Sequence, residues 1–309
     1  MIITLTLNPC VDKSTAVESV ASEIKLRCDF PTFHPGGGGI NASRAINNVG
    51  GDSLAVYASG GSAGQTLKSL LDIEGIRQEL VVTQSWTREN LIVFEKSTTL
   101  QYRFGMPGLP LSEAEVQACV EATLAHKPAY LVASGSLPSN VPTDFYVRLA
   151  TQLQGTSTRL IVDTSGEALA KMKGANAYLL KPNINELEQL SGETFEGEEH
   201  LIRVAKRLIA ENMAQVLVVS LGGSGALLVS EGIVAHLRPP VVPIKSKVGA
   251  GDSMVGGLTW ALSQGRDIVD AVRFGIACGT ATVMTEGTEL CRKSDVDAIY
   301  PRVTVLKET

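Results

Sequence analysis

The sequence predicts an α/β fold: one large domain with a parallel sheet covered by helices, from which a small second sheet projects. Three observations lead there. Short β-branched runs alternate with helical stripes along most of the chain, the pattern of strands joined by crossover helices. The 309 residues include 30 glycines, more than the usual share of about 7%, and they cluster where strand-like runs give way to helical ones. Two stretches, 15–33 and 91–104, are polar and apolar by turns with no helical stripe, as half-exposed strands are.

In chain order, residues 2–7 form a buried first strand stopped by Asn8-Pro9, so its exit should face a site. Short strands are expected within 15–33, and a helix over 42–49. Strand 54–58 then leads to helix 65–74, strand 130–133 to helix 143–154, and strand 160–163 to helix 167–172. Further strands fall at 178–180, 216–220 and 226–229, with helices at 198–211, 253–264 and 268–284. No internal repeat or low-complexity linker interrupts this order. The core is therefore expected over 1–14, 34–87 and 106–309, with the projecting sheet over 15–33 and 88–105.

Hydrophobic residues at 44% and charged residues at 19% can fill a large core and exclude a disordered chain or a coiled coil. The formal charge is −5, with basic residues scattered, so neither nucleic acid nor a membrane surface is expected as the main ligand. Any anionic substrate must be held locally. Five cysteines, Cys10, Cys28, Cys119, Cys278 and Cys291, are odd in number and lack a C-x-x-C pair, which suggests neither a disulfide framework nor a zinc knuckle. The first residues lack a basic n-region, and no segment approaches the roughly 18 apolar residues of a membrane span, so a cytoplasmic location is expected.

The sharpest motif is Val248-Gly249-Ala250-Gly251-Asp252-Ser253, which runs into an apolar helical stretch. Small residues at a helix start leave backbone N–H groups bare, and the helix dipole adds partial positive charge, so a transferring phosphoryl group fits there. Asp252 stands in the first turn, where the helix N-terminus should keep it ionised; the plainer reading is an N-cap after a flexible turn. Pro35-Gly36-Gly37-Gly38-Gly39-Ile40-Asn41 opens a second helix. Four consecutive glycines are unfavourable to order, so they are either a surface linker or a place where backbone passes close to a ligand. The run also satisfies the G-x-G-x-x-A dinucleotide fingerprint, without the preceding clean strand or the acidic residue about twenty positions on.

A reading from another class rests on Gly60-Gly61-Ser62-Ala63-Gly64, a G-x-S-x-G between a strand and a helix. A serine hydrolase using Ser62 needs a later acid and then a histidine, for which His126, His200 and His236 remain. It leaves both glycine motifs without a role. No Gly-Lys dipeptide occurs, so a Walker A loop is absent and a nucleotide must be held otherwise. Lys181-Pro182-Asn183-Ile184-Asn185-Glu186 sets an amide and a carboxylate on one helix face, suited to hydrated magnesium or to a capping box. Ser220-Leu221-Gly222-Gly223-Ser224-Gly225 follows a strand, as a hairpin turn or as a glycine floor under phosphates.

Taken in order, N-P-C-V-D at the start, P-G-G-G-G-I-N, G-S-L-P at 135–138, K-P-N-x-x-E, S-L-G-G-x-G and V-G-A-G-D span nearly the whole chain. In this it resembles the ribokinase-like (PfkB) sugar kinases. The resemblance implies a three-layer α/β/α domain with a projecting β-sheet lid that pairs with a second copy to make a homodimer. Lys25-Leu26-Arg27-Cys28 and Trp86-Thr87-Arg88-Glu89-Asn90 look most like the branch that phosphorylates fructose 6-phosphate at its C1 hydroxyl with ATP and Mg2+. Kinases of fructose 1-phosphate and tagatose 6-phosphate, the neighbouring branch, usually carry lysine where Gly38 stands.

By the same resemblance Asp252 is the base, with Gly249, Ala250 and Gly251 around the transferring phosphate. Asp12, Gly36, Gly37, Gly38, Gly39 and Asn41 face the sugar hydroxyls, and Arg88, Arg103 and Ser136 its phosphate. Lys25 and Arg27 serve the site, in one copy or the neighbour's. Lys181, Asn183, Ser220, Gly222 and Gly225 meet the nucleotide, with Gly279 and Thr280 flanking the base, and Glu186 orients magnesium through water. Ser246, Val248 and Gly287 suggest a loop for a monovalent cation such as K+, from whose pattern Lys247 and Glu289 depart.

Overall fold

The computed structural model describes residues 1–308; the last residue of the expected core, 309, lies outside the described residues. The chain opens with β1 (Ile2–Thr6), β2 (Cys10–Val17) and β3 (Thr32–Gly36), then α1 (Gly38–Asn48), β4 (Leu54–Ser59), α2 (Gly61–Ile73) and β5 (Gln78–Val82). Next come β6 (Arg88–Glu95), β7 (Leu100–Phe104), α3 (Glu113–Ala125), β8 (Tyr130–Ser134), α4 (Phe145–Gln152), β9 (Arg159–Asp163), α5 (Gly166–Ala170) and β10 (Ala177–Leu180). The last part holds α6 (Ile184–Ser191), α7 (Glu198–Ala210), β11 (Ala214–Ser220), β12 (Ala226–Ser230), β13 (Val234–Arg238), α8 (Ala250–Ser263), α9 (Ile268–Val283), α10 (Lys293–Ile299) and β14 (Thr304–Glu308).

One ten-stranded sheet runs β14-β13-β12-β11-β10-β9-β8-β1-β4-β5. From β11 to β5 every pairing is parallel, and β12, β13 and β14 add an antiparallel edge. Side chains alternate between its faces. Ile3, Leu5, Leu131 and Val162 pack with α3 to α7, while Ile2, Val132 and Ile161 pack with α1, α8, α9 and α10. Both faces are covered, which is why the strands read as continuous apolar runs. The chain winds from β1 to β4 and β5 on one side and through β8 to β11 on the other, so the strand order reverses between β1 and β8. In such sheets ligands bind outside the carboxyl ends of the strands at that point.

The second sheet runs β3-β2-β6-β7, with β2 and β6 parallel. Its first strand begins at Cys10 and its second ends at Gly36, so residues 10–14 and 34–36, expected in the core, belong to it. Residues 18–31, expected to hold short strands, form none. The register explains this: β2 pairs with β3 only over Cys10–Ser14 and Thr32–Gly36, so the chain between them has no strand alongside. Asp29 N donates to Ala16 O at 2.8 Å, one of the few backbone ties this segment makes.

Candidate active site

α8 begins where the sequence changes from Lys247-Val248 to Gly249-Ala250-Gly251. Gly249 caps the helix in the left-handed region (φ 73°, ψ 0°), with the Leu290 side chain where a Cβ would lie. The first helical bond is Ser253 N to Gly249 O at 2.8 Å. The N–H groups of Ala250, Gly251 and Asp252 therefore have no partner in the helix. A Cβ on Gly251 would lie 3.5 Å from Lys181 Nζ. Three bare N–H groups, the helix dipole and an ammonium thus converge on one spot, as a phosphoryl group in transfer requires.

Asp252 stands in that first turn. Its Oδ2 accepts from Asn41 Nδ2 at 2.9 Å. Its pKa is pushed up to about 6, by burial first and then by the Asp163 charge, while Asn41 and Lys181 draw it down and Asp12 raises it. The helix N-terminus favours the ionised form, but desolvation outweighs it and moves the pKa up. At pH 7 it is still mostly ionised. Lys181, itself buried, pairs with Asp163 at 3.2 Å. Burial alone would lower its pKa, but Asp163, Asp252 and Glu186 leave it above the usual value.

A cavity of about 270 Å³ lies between this helix start and the second sheet, lined by Asp12, Gly37, Gly38, Asn41, Arg88, Asn90, Arg103, Gly135, Gly249 and Asp252 among others. Strand alternation gives the arrangement. Cys10 pairs with Arg88, Asp12 with Asn90, and Ile92 with Arg103, so these residues share the face turned to the core. Asp12 Oδ1 accepts from Asn90 Nδ2 at 2.8 Å and from Cys10 Sγ at 3.2 Å. A side chain on Gly36 would collide with the Asp12 carboxylate and with Cys10 Sγ, 2.6 Å from the added carbon. A Cβ on Gly38 would strike Ser134 and come within 2.9 Å of Gly135 N, at the reversal point of the sheet. The glycine run is thus a close approach of backbone to the site, and the linker reading falls. Gly39 differs: it is packed against Leu5 O and Thr6.

Arg88 Nη1 donates to Met106 O at 3.0 Å and Nη2 to Asn8 O at 3.1 Å, while its buried Nε has no partner. Ser136 is exposed and outside this cavity, though its hydroxyl accepts from Asn8 Nδ2 at 3.0 Å. Lys25 and Arg27 are exposed in the 18–31 segment, and neither lines the cavity. Asn90, Cys10 and Asp163 were missed. Asn90 and Cys10 could have been found from their i, i+2 spacing to Arg88 and Asp12, and Asp163 from its place at the end of a buried strand.

Past the end of β10, Asn183 and Glu186 form a reciprocal capping box at α6: Asn183 N donates to Glu186 Oε2 at 2.8 Å, and Glu186 N to Asn183 Oδ1 at 2.9 Å. The plainer reading of that pair is thus real, and it uses one carboxylate oxygen. Glu186's pKa is raised by burial, with Asp163 adding to it. Ser220 N donates to Pro182 O at 2.9 Å, which aligns the ends of β10 and β11. Gly222 and Gly225 form the tight turn into β12, with open space beside Gly222 and Leu237 O packed against Gly225. Gly279 and the buried Thr280 lie in α9, with Gly279 against Ala250 O. Ser246 Oγ donates to Gly287 O at 2.6 Å and accepts from Val248 N at 3.3 Å. Glu289 turns its carboxylate to Arg292, at 2.8 and 2.9 Å.

Ser62 is exposed at the start of α2. His126, His200 and His236 pair with Glu79, Glu193 and Glu198, and among the described residues no histidine bonds to Ser62. The hydrolase reading is overturned.

The chain is 41% identical over 301 residues to the ATP-dependent 6-phosphofructokinase isozyme 2 of Escherichia coli (strain K12), covering 97% of each. It is 32% identical to a 1-phosphofructokinase of Borreliella burgdorferi, over 99% of this chain and 98% of the relative. The crystal structure of phosphofructokinase-2 from E. coli in complex with potassium superposes with a TM-score of 0.93 at 40% identity, over 97% of this chain and 98% of the other. That protein has also been solved in complex with fructose-6-phosphate (TM-score 0.92, 39% identity) and in a tetrameric inhibited form (TM-score 0.92, 40% identity), each over 97% of this chain and 98% of the other. Residues 2–295 match the pfkB family carbohydrate kinases. With a helix start that bares three N–H groups, a buried carboxylate beside it and an arginine-lined cavity under a second sheet, the chain belongs to the pfkB family of carbohydrate kinases, enzymes that phosphorylate sugars with ATP.

Proposed function

We propose that the enzyme transfers the γ-phosphoryl group of ATP to the C1 hydroxyl of fructose 6-phosphate, giving fructose 1,6-bisphosphate. The observation that carries this is one cavity lined by Arg88, Arg103 and Asp252 together. Guanidinium groups suit a sugar phosphate, and a carboxylate with a pKa of about 6 suits the removal of a hydroxyl proton near neutral pH. Phosphoryl transfer has a loose transition state, so the protein mainly positions the reactants and neutralises charge. The N–H groups from Ala250 to Asp252, with Lys181, supply that neutralisation. Glu186, with one oxygen outside the capping box, would hold through water a magnesium ion bound with ATP, whose charge would shield the phosphates. The oxygens of Ser246, Val248 and Gly287 suit a monovalent cation such as K+, which would fix the loop before α8. ATP and sugar phosphates are cytoplasmic metabolites, which supports that location.

The neighbouring branch remains the second reading, and the relatives favour the first: the 6-phosphofructokinase relative is more similar than the 1-phosphofructokinase one. A coupled assay across fructose 6-phosphate, fructose 1-phosphate, tagatose 6-phosphate and fructose decides between them. The expected result is the highest kcat/KM for fructose 6-phosphate. A higher value for either rival phosphate would move the enzyme to the other branch.

The same reading makes the second sheet a lid that pairs with a second copy. Lys13 pairs across with Phe33 and with Leu91, and Leu91 with Phe104, so these residues form one row on the face away from Asp12. Phe33 is 40% and Phe104 49% exposed, an apolar strip that a second lid would cover. Lys25 and Arg27, outside their own cavity, would then reach the neighbour's site. Phe33→Asp is expected to weaken association and activity together, as read by analytical ultracentrifugation and assay at matched concentrations. A fully active monomer would mean that the strip is covered some other way.

A further inference from the structure

We propose that Arg44 is a positioning residue for the catalytic base: it selects the orientation of the Asn41 amide, and Asn41 in turn holds the Asp252 carboxylate. The inference rests on the reading of Asp252 as the base. Arg44 lies in α1, one turn beyond Asn41, and is 4% exposed. Its Nε and Nη2 donate to the two oxygens of Glu74, at 2.6 and 2.7 Å. Its Nη1 donates to Pro35 O at 3.0 Å, just ahead of the glycine run, and to Asn41 Oδ1 at 3.2 Å. With the amide oxygen turned to the guanidinium, Nδ2 is the end left to face Asp252, and it donates to Oδ2 at 2.9 Å.

The reverse orientation would set an NH2 group against a guanidinium and a carbonyl oxygen against a carboxylate. Both contacts would be repulsive, so a single orientation is acceptable and Arg44 selects it. One hydrogen-bonded line therefore joins the end of α2, the chain before the glycines, α1 and the head of α8. A buried ion pair is weak evidence for stability, because apolar residues of similar volume often serve as well. What apolar residues cannot supply is the third contact, to Asn41.

The groups acting on Asp252 come from four elements. Asp163 at the end of β9 and Asp12 in β2 raise its pKa, while Lys181 after β10 and Asn41 in α1 lower it. Glu74 and Asn41 face Arg44 directly, and the half-buried His34 of β3 is held below its usual pKa by burial and then by the Arg44 charge. If Asn41 loses its orientation, Asp252 loses a donor that favours its ionised form. The base then holds its proton more tightly and sits less firmly in line with the sugar hydroxyl.

The test uses the whole enzyme and two pairs of variants. In Arg44→Met/Glu74→Met an apolar pair replaces the ions, and in Arg44→Lys the charge stays while the fork is lost. Asn47→Ala removes only the Asn47 Nδ2 bond to Glu74 O, 3.2 Å in the native chain, and serves as the structural control. Asp252→Asn tests the base itself. The Arg44 variants are expected to lose about tenfold in kcat with sugar KM within about threefold, and the acid limb of kcat/KM should move up by about half a pH unit or more. Asn47→Ala should lower the melting temperature without moving the limb. If the double variant does not fold, Arg44→Lys decides on the same two readouts. Native kcat and limb in the Arg44 variants would overturn the proposal. So would a loss of activity that follows the melting temperature, raises KM equally and leaves the limb in place. Normal turnover by Asp252→Asn would remove the base reading itself; an inactive Asp252→Asn beside unaffected Arg44 variants would remove only the positioning role.

Discussion

Asp252→Asn is expected to lower kcat by about 10²-fold or more while leaving the KM for the sugar phosphate nearly unchanged, because general-base catalysis contributes about 10²- to 10⁴-fold. The amide keeps the shape of the carboxylate and can still face Asn41, but it cannot take a proton. The native enzyme should lose kcat/KM below a pH of about 6, where Asp252 becomes protonated. The residual activity of the variant should lack that limb. Stability should move the other way. Burial raises the folded-state pKa of Asp252 above its unfolded value, so its charge disfavours the fold most fully above about pH 6, and the penalty fades as pH falls from there toward the unfolded value of about 4. The asparagine variant should therefore melt at a higher temperature than the native enzyme at pH 7 to 8, and the gain should vanish near pH 4. Thermal denaturation across pH, beside pH profiles of kcat/KM, checks both halves. Near-native turnover would show that another group takes the proton.

The large sheet was legible because its strands are buried on both faces and read as uninterrupted β-branched runs between helical stripes. α3 was not, since only Cys119, Val120 and Thr123 of its residues are buried and no apolar stripe marks it. Its start was written in Ser112 and Glu115, a capping box with both bonds made. The edge strands β5 and β14 were missed for a related reason: an edge strand needs few apolar residues; β13, paired on both sides, was missed because His236 interrupts its short apolar run. In the site, motifs with an obligate backbone geometry were read well. The Gly249 turn and the glycine run each have a steric reason that glycine alone satisfies. The polar side chains that orient others were harder. Asn90 reaches Asp12 from a strand 78 residues on, and Arg44, one helical turn from Asn41, is fixed by Glu74 at the far end of α2; the sequence does not show which polar side chains such pairings bring together. The raised pKa of Asp252 was also beyond the sequence, because the helix N-terminus is local while the burial that chiefly raises it, and the charges of Asp163 and Asp12 that add to it, come from the packing of distant strands.

Arg88→Ala is expected to raise the KM for fructose 6-phosphate by about 10- to 100-fold, with the KM for ATP scarcely altered. Two of its nitrogens are committed to the Asn8 and Met106 carbonyls, which fix the guanidinium in place before any ligand arrives. The third, Nε, is buried without a partner, and a native structure seldom leaves such a donor idle. A small shift of the side chain as the ligand enters would turn it to a phosphate oxygen in a charge-assisted bond, and losing one of these costs roughly 1.5 to 3 kcal/mol, which is the stated range in KM. The substitution also frees two backbone carbonyls, so fructose serves as the control. Damage to the cavity as a whole would reduce kcat/KM for fructose and fructose 6-phosphate by the same factor, whereas loss of a phosphate contact affects only the phosphorylated sugar. Arg103 lies on the same face, one strand further out and exposed, so Arg103→Ala should follow in direction with a smaller effect. An unchanged KM for fructose 6-phosphate in Arg88→Ala would place the phosphate outside this cavity, and C1 would then no longer be the hydroxyl turned toward Asp252.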